Sequence, residues 1–515
     1  MAYQGERVKN LWISDGMKKT LYRCAILVSI LSIVLSACGL ANVQEQITAS
    51  TVSSTLPSPN NVPIGQLDVT TTPLPTRPQY PPGELVDYSA QTGDTLIGIA
   101  RHFNTTVEEI LSANSFIPTD ATTMPPGMPM KIPIYYQPFW GSQYQLIPDS
   151  LFVNGPTQVD FDTSAFVALQ PGWLNGYNGY AFGGNRSGAQ IVDYVAKNFS
   201  ISPRLLLGLL EYQTGALSIP TLPTESHIYP LGYRDWQHEG LYLQLVWAAN
   251  LLNNGYYRWR LGDLAEFDHL DGSQERPDPW QNAATVALQY YFSRIIDGDQ
   301  YARAVAQDGF ANSYAKFFGD PWQSVVPHIP GSLVQPTFSL PFLPSLTWAY
   351  TGGPHTGFGE GEPLAAIDFA PGAMTSGCVP TDEWATAVAP GVISRSESGA
   401  VVIDLDSDGD ERTGWTVFYF HIETEGRTPV GSVLQIGDPI GHPSCEGGRT
   451  TGTHIHIARK YNGEWIPADY VIPFDLGGWV AHNGSHEYEG TLTKAGNTII
   501  ACTCADAASQ IYANE

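Results

Sequence analysis

Five side chains in the last third of the chain have the types and spacing of a metal site: His355, Asp368, His421, His454 and His456. Zinc favours imidazole nitrogen and carboxylate oxygen, and a catalytic zinc keeps one position open for water. In Thr453-His454-Ile455-His456-Ile457 the two histidines stand at i and i+2. On a strand such residues share a face. Both imidazoles then point one way, and Ile455 and Ile457 the other. One can bind a metal while the other sits beside it. In "TVFYFHI", alternation puts Val417, Tyr419 and His421 on one face and Phe418, Phe420 and Ile422 opposite. A lone histidine on a strand is usually structural. Several candidate ligands in one region shift that balance, because a buried imidazole or carboxylate without a partner is costly. No helical H-E-x-x-H is present, so the thermolysin arrangement is excluded.

The elements that must position these groups read as mostly antiparallel sheet. Runs 386–394, 400–405 and 416–422 are short, alternating and rich in β-branched or aromatic residues, with Gly-rich breaks. Between the second and third, Asp404, Asp406, Asp408 and Asp410 match the D-x-D-x-D-G start of a calcium loop. Trp415 stands where the twelfth-position acid belongs. The loop reads equally as an acidic hairpin turn favoured by Asp-Gly.

Upstream lies a compact unit over 86–135. Val86 to Ala90 alternates as a strand, and Leu96, Ile99, Ala100 and Phe103 recur at helical spacing. Thr106 and Glu109 have capping-box spacing for a second helix that ends near Asn114. A second strand closes the unit. Its strand-helix-helix-strand order, with "GDTLIGIA", "ILSAN" and "PGMPMKIP", resembles the LysM domain. That resemblance implies binding of N-acetylglucosamine-containing glycans such as peptidoglycan.

Residues 136–335 give a mainly helical pattern, with helices over 189–199, 203–214, 240–253 and 279–296. "NFSISPRLLLGLLEYQTG" resembles the helix that carries the acid of lysozyme-like transglycosylases, which would make Glu211 a general acid. The usual Ser after that Glu is Tyr212 here. A helical spacer, with Glu211 merely polar at a helix end, is the preferred reading.

The ends and the composition set the context. Lys18, Lys19 and Arg23 precede an apolar run, which reads as a secretory signal beginning at Met17. Leu35-Ser36-Ala37-Cys38 resembles the bacterial lipobox, which implies acylation of Cys38 and attachment to a membrane surface. Residues 39–85 are a Thr/Ser/Pro-rich tether. Export implies oxidised cysteines. Cys378, Cys445, Cys502 and Cys504 allow three connectivities, of which we favour Cys378 with Cys445. A net charge of −25 suits solubility and opposes nucleic-acid binding.

Taken together, "GGPHTGFGEGEPLAAIDFAPG", "VFYFHI" and "TGTHIHIA" resemble the lysostaphin/LytM-type zinc endopeptidases over about 345–480. The long spacing between His355 and Asp368, and Cys445 ahead of His454, resemble the beta-lytic branch. The resemblance implies zinc held by His355, Asp368 and His456, with His421 and His454 handling the proton and the oxyanion. It implies a multidomain exported peptidase for peptidoglycan peptides, with 481–515 as a C-terminal extension. The alternatives are a catalytically silent wall-binding regulator and a secreted protease for Gly-rich proteins.

Overall fold

A computed structural model describes residues 77–513 apart from 324, 373–376 and 505. The signal segment, Cys38 and most of the tether lie outside the described residues. No helix among the described residues is long and apolar enough to cross a membrane.

The small unit has the expected order. Strand β1 (Glu84–Ser89) pairs antiparallel with β2 (Pro129–Ile134), and helices α1 (Leu96–His102) and α2 (Val107–Ala113) lie between them. Thr106 and Glu109 form a complete capping box. Ile99, Phe103, Ile110 and Ile132 are fully buried in the unit's own core.

The helical region contributes α3 (Gly188–Phe199), α4 (Pro203–Thr214), α5 (Leu241–Leu261), α6 (Ala283–Ser293) and α7 (Phe310–Phe318). Helices α5 and α6 differ from expectation, and α6 also stops at Ser293 instead of 296. Helix α5 runs on past Asn253 to Leu261, although "NNG" reads as a stop. Asn253 instead donates its side-chain amide to Phe199 O. Gly255 lets α6 approach, since a Cβ there would meet Ala287 Cα at 2.9 Å. Helix α6 starts later than expected because Asp278 accepts the Trp280 amide in a turn.

The C-terminal region forms a nine-stranded antiparallel sheet. Its strands are β3 (Thr347–His355), β4 (Ala366–Pro371), β5 (Gly391–Glu397), β6 (Ala400–Asp404), β7 (Trp415–Phe420), β8 (Val433–Leu434), β9 (Ile455–Tyr461), β10 (Glu464–Trp465) and, from the chain end, β15 (Gln510–Tyr512). The order is β8-β5-β6-β7-β9-β4-β3-β15, with β10 pairing off β9. A second sheet joins β11 (Asp475–Leu476), β12 (Trp479–Asn483), β13 (Gly490–Lys494) and β14 (Asn497–Ile500). The strand expected over 386–394 is split, since Pro390 has no N–H to donate and β5 begins after it. Disulfides join Cys378 to Cys445 and Cys502 to Cys504.

The helices and the sheet share one hydrophobic core. One face of the sheet (Ala366, Val402, Phe418, Ala458) packs with Trp465, Phe199, Leu206 and Tyr256. The other face (Ile367, Tyr419, Ile455, Ile457) packs under the second sheet and the 338–342 segment. At the junction with the small unit, the buried guanidinium of Arg260 meets Glu464 at 3.2 Å and Asp149 at 3.1 Å, and donates to Thr92 O. Glu464 also accepts from Tyr256 (2.8 Å) and contacts His328 Nε2 (2.6 Å).

Burial opposes ionisation of Glu464, but Arg260, followed by His328, holds its carboxyl down at about 2. Glu411 is held at about 2 in the same way, by Arg395 and Lys460. Both folded values lie below the unfolded value of about 4.3. Their contribution to stability is therefore present above that pH and is lost as pH falls towards 2. Replacing Arg260 by Met leaves the buried carboxylates of Glu464 and Asp149 without their guanidinium and should cost about 3–5 kcal/mol. Urea unfolding between pH 7 and pH 2 should show that loss at neutral pH and a shallower acid dependence in the variant.

Candidate metal centre

Three neighbouring strands bring the site together. In the antiparallel register His456 on β9 lies opposite Asp368 on β4, and Asp368 lies opposite Gly352 on β3. Irregular pairing at the end of β3 carries His355 back towards Asp368. His355 Nε2 is 3.0 Å from His456 Nδ1 and 3.3 Å from Asp368 Oδ1. His456 Nδ1 is 3.6 Å from the same oxygen. A tetrahedral centre with bonds of about 2.0–2.1 Å needs ligand–ligand edges of about 3.3–3.4 Å. The observed edges of 3.0, 3.3 and 3.6 Å lie around that length.

The surroundings fix the donors. His355 Nδ1–H donates to Gly353 O (2.8 Å) and His456 Nε2–H to Gly357 O (3.0 Å), so the opposite nitrogen of each ring faces the other ligands. Asp368 Oδ1 is buried and receives no hydrogen bond. Three lone pairs thus converge on one point, the donor set a divalent zinc ion fits. Burial opposes ionisation of Asp368, but His355, then His454 and His456, hold it well below the usual carboxylate range. Burial pushes His456 down to about 3 and His421 to about 4, which keeps both imidazoles neutral.

His421 and His454 stand beside the triangle. Their rings are 4.6 Å apart, and His454 Nε2 is 3.7 Å from Asp368 Oδ2. His421 Nδ1–H donates to Glu446 O (2.8 Å), and His454 Nδ1–H to Gly452 O (2.7 Å). Each ring keeps Nε2 for other work. Here the expectation from alternation fails. His421 does not share the Val417 and Tyr419 face. Its φ of 64° ends β7 and swings the ring to the Phe420 and His456 side, while Ile422 joins Tyr419 in the opposite core. His454 lies just before β9, in an isolated bridge to Ser444, yet still points to the same face as His456.

A sixth group was not legible from spacing. The ring of Tyr488 stacks on His355, with centroids 4.1 Å apart, and remains half exposed. It sits in the Gly-flanked turn between β12 and β13, where no period marks it. Its backbone is tied to β3 through Gly353 N to Tyr488 O (2.8 Å).

The helical region supports the site through one loop. Asn250 and Asn254 on α5 accept the amides of Glu360 (2.9 Å) and Glu362 (3.1 Å). Gly359, at φ 95°, lies against Asn250 and Phe199 where a Cβ would clash. This loop carries Gly357, whose carbonyl orients His456.

The aspartate loop joins β6 to β7. Asp404, Asp406 and Asp408 each offer an oxygen within 4.8 Å of the others. Asp410 does not join them: Arg412 takes it through Nε (2.7 Å) and Nη2 (2.5 Å).

Two family models match the chain: "LasA, N-terminal domain" over residues 145–331 and "LysM domain" over 88–133. Protease LasA of Pseudomonas aeruginosa is 23% identical over 341 residues, 62% of this chain and 74% of that protein. Beta-lytic metalloendopeptidase of Achromobacter lyticus is 28% identical over 144 residues, 26% of this chain and 35% of that protein. A solved structure described as an M23 metalloprotease, pseudoalterin, from the deep sea aligns at 24% identity. It covers 33% of this chain and 96% of that chain, with a TM-score of 0.27. The chain is thus homologous to proteins named as a protease and a metalloendopeptidase.

Glu211 falls within the 145–331 match, near the end of α4. Its Oε2 accepts from the amides of Leu217 (2.8 Å) and Ser218 (3.2 Å), and its Oε1 from Ser218 Oγ (2.6 Å). Both oxygens serve the turn that follows the helix. That occupation supports a structural role over the general-acid expectation. Glu211→Gln should lower stability by about 1 kcal/mol, seen as a lower thermal midpoint. Loss of a glycan-cleaving activity in the variant, with its midpoint unchanged, would restore the acid.

Proposed function

We propose that this chain is an exported zinc metalloendopeptidase that cuts peptide bonds in bacterial peptidoglycan. The observation that carries this reading is the triangle of His355 Nε2, Asp368 Oδ1 and His456 Nδ1 around an oxygen with no hydrogen-bond donor. Homology to Protease LasA and to beta-lytic metalloendopeptidase supports it.

His355, Asp368 and His456 would hold the zinc ion. When bound, it polarises the scissile carbonyl and lowers the pKa of water to about 7. The remaining work falls to this chain's own groups. With Nδ1 engaged by main-chain carbonyls, His421 and His454 each present Nε2. One neutral Nε2 accepts the proton of the attacking water. As the C–N bond breaks, that ring gives the proton to the departing amine nitrogen, while the other ring stands beside the oxygen that gains charge as the carbonyl is attacked. Both stay close because their carbonyl partners, Glu446 and Gly452, lie on one loop behind the disulfide at Cys445. A catalytically silent regulator is disfavoured, since all three candidate ligands and both auxiliary histidines are present.

Substrate delivery falls to the LysM domain at 88–133, which we propose binds the N-acetylglucosamine-containing strand. Acylation of Cys38, outside the described residues, would hold the enzyme at the envelope surface. The lipobox-like Leu35-Ser36-Ala37-Cys38 supports that part.

His456→Ala should lose stoichiometric zinc, measured by metal analysis of the purified chain; zinc retained at one per chain would refute the ligand assignment. His454→Ala should keep its zinc and lose at least about a hundredfold in rate. Peptidoglycan digests analysed by mass spectrometry, with and without chelator, should yield new peptide termini in the chelator-free sample alone. Cleaved glycan with intact peptides would overturn the reaction class.

A further inference from the structure

Residues 329–333, Ile-Pro-Gly-Ser-Leu, form a strap between two loops of the small unit, with a turn at Gly331 and Ser332 where Ser332 has φ 54°. On one side lies the loop of Gln91 to Thr95, and on the other the loop of Thr122 to Pro125. The strap's main chain is held at Ile329, Pro330, Ser332 and Leu333. Thr92 Oγ1 accepts from Ile329 N (3.0 Å) and donates to Ile329 O (3.3 Å). Thr123 Oγ1 donates to Pro330 O (2.7 Å) and accepts from Leu333 N (3.0 Å). Thr123 O accepts from Ser332 N (2.8 Å), and Thr122 Oγ1 donates to Leu333 O (2.7 Å). None of these bonds reads a side chain of the strap. The cleft is lined by groups that grip amide N–H and C=O.

An acetamido group carries the same N–H and C=O pair as a peptide unit. A glycan with an acetamido group on its sugars therefore matches the cleft as the strap does. The strap's two apolar side chains, Ile329 and Leu333, are buried, but in a small cluster only. They belong to a satellite cluster with Ile466 and Ile472, outside the three larger cores. Its ends are pinned elsewhere. His328 meets Glu464 at 2.6 Å, and Gln335 donates to Asp475 O at 2.7 Å. The middle can therefore lift while both ends stay fixed.

We propose that residues 329–333 are a built-in competitor that occupies the ligand cleft of the small unit, so that strap and N-acetylated glycan exclude one another. This rests on the glycan-binding reading of that unit. The glycan-targeting step then draws on the fraction of chains whose strap is lifted, and the apparent affinity falls by that fraction.

The test uses the full chain and the tetramer of N-acetylglucosamine. A Cβ at Gly331 would meet Pro125 at 2.6–2.8 Å, so Gly331→Val should unseat the strap. The variant should bind the tetramer about tenfold more tightly than the parent, as expected when the strap is seated about nine-tenths of the time. In the parent, saturating tetramer should speed hydrogen exchange at the amides of Ile329, Ser332 and Leu333. Should Gly331→Val fail to fold, Leu333→Ala, which trims the satellite cluster, takes its place with the same expectation. Tetramer bound with those three amides still protected overturns the competitor and leaves glycan binding standing. No binding by parent or variant overturns both.

Discussion

The buried guanidinium of Arg260 ties three parts of the chain to the strand that carries His456. Arg260 projects from α5, meets Asp149 at the start of the helical region and donates to Thr92 of the small unit. Its strongest partner, Glu464, lies on β10, which folds back on β9 through Lys460–Trp465 and Tyr461–Glu464 pairing. The hairpin is thus clamped at one end by a charge taken out of water and reaches the metal centre at the other. Such a cluster survives burial because every member has an opposite charge or a donor within reach. It need not add to stability relative to an apolar junction. Its effect is to fix which surfaces meet.

From that anchor the site follows by register. Pairing β9 with β4 sets His456 against Asp368, and a one-residue shift of β9 would turn His456 into the opposite core. Ile455 and Ile457, fully buried against Tyr419 and Ile367, make that shift expensive. The precision of the triangle is set by the apolar face it does not touch. His355 and His421 then arrive from places where regular pairing ends, at the broken end of β3 and at the left-handed residue after β7. Regular strands supply two of the candidate ligands, and irregular backbone supplies the groups that approach from the side.

The same division marks what was legible in the sequence. His454 and His456 could be placed on one face because period two is a local rule that their flanking isoleucines enforce. The small unit was legible as well, since its caps and turn residues act within a few positions. His421 was assigned to the wrong face because alternation says nothing about where a strand stops. The length of α5 was missed because Asn253 and Gly255 read as breakers, whereas one caps a distant carbonyl and the other admits α6. Tyr488 and the shared core belong to pairings between distant segments. Periodicity names the buried face of an element without naming what covers it.

That last point bears on the helical region, whose own residues offered no clear chemistry. Its α5 presents Asn250 and Asn254 one turn apart, and they hold the loop of Glu360 and Glu362 by its amides. The loop holds the carbonyl of Gly357, and that carbonyl holds the Nε2–H of His456. Through two hydrogen-bonded steps joined by the loop's own backbone, a helix about a hundred residues upstream in sequence sets which nitrogen of His456 faces the candidate ligand triangle. Outer partners of this kind change metal affinity when they are lost. Phe199 and Phe358 pack edge-on beside the same loop, so its position is also fixed by apolar contact from α3. The sheet alone would keep His456 opposite Asp368, but it would not choose the tautomer. The helical region is therefore part of the candidate metal centre's support, and its carboxylate at Glu211 holds its own turn.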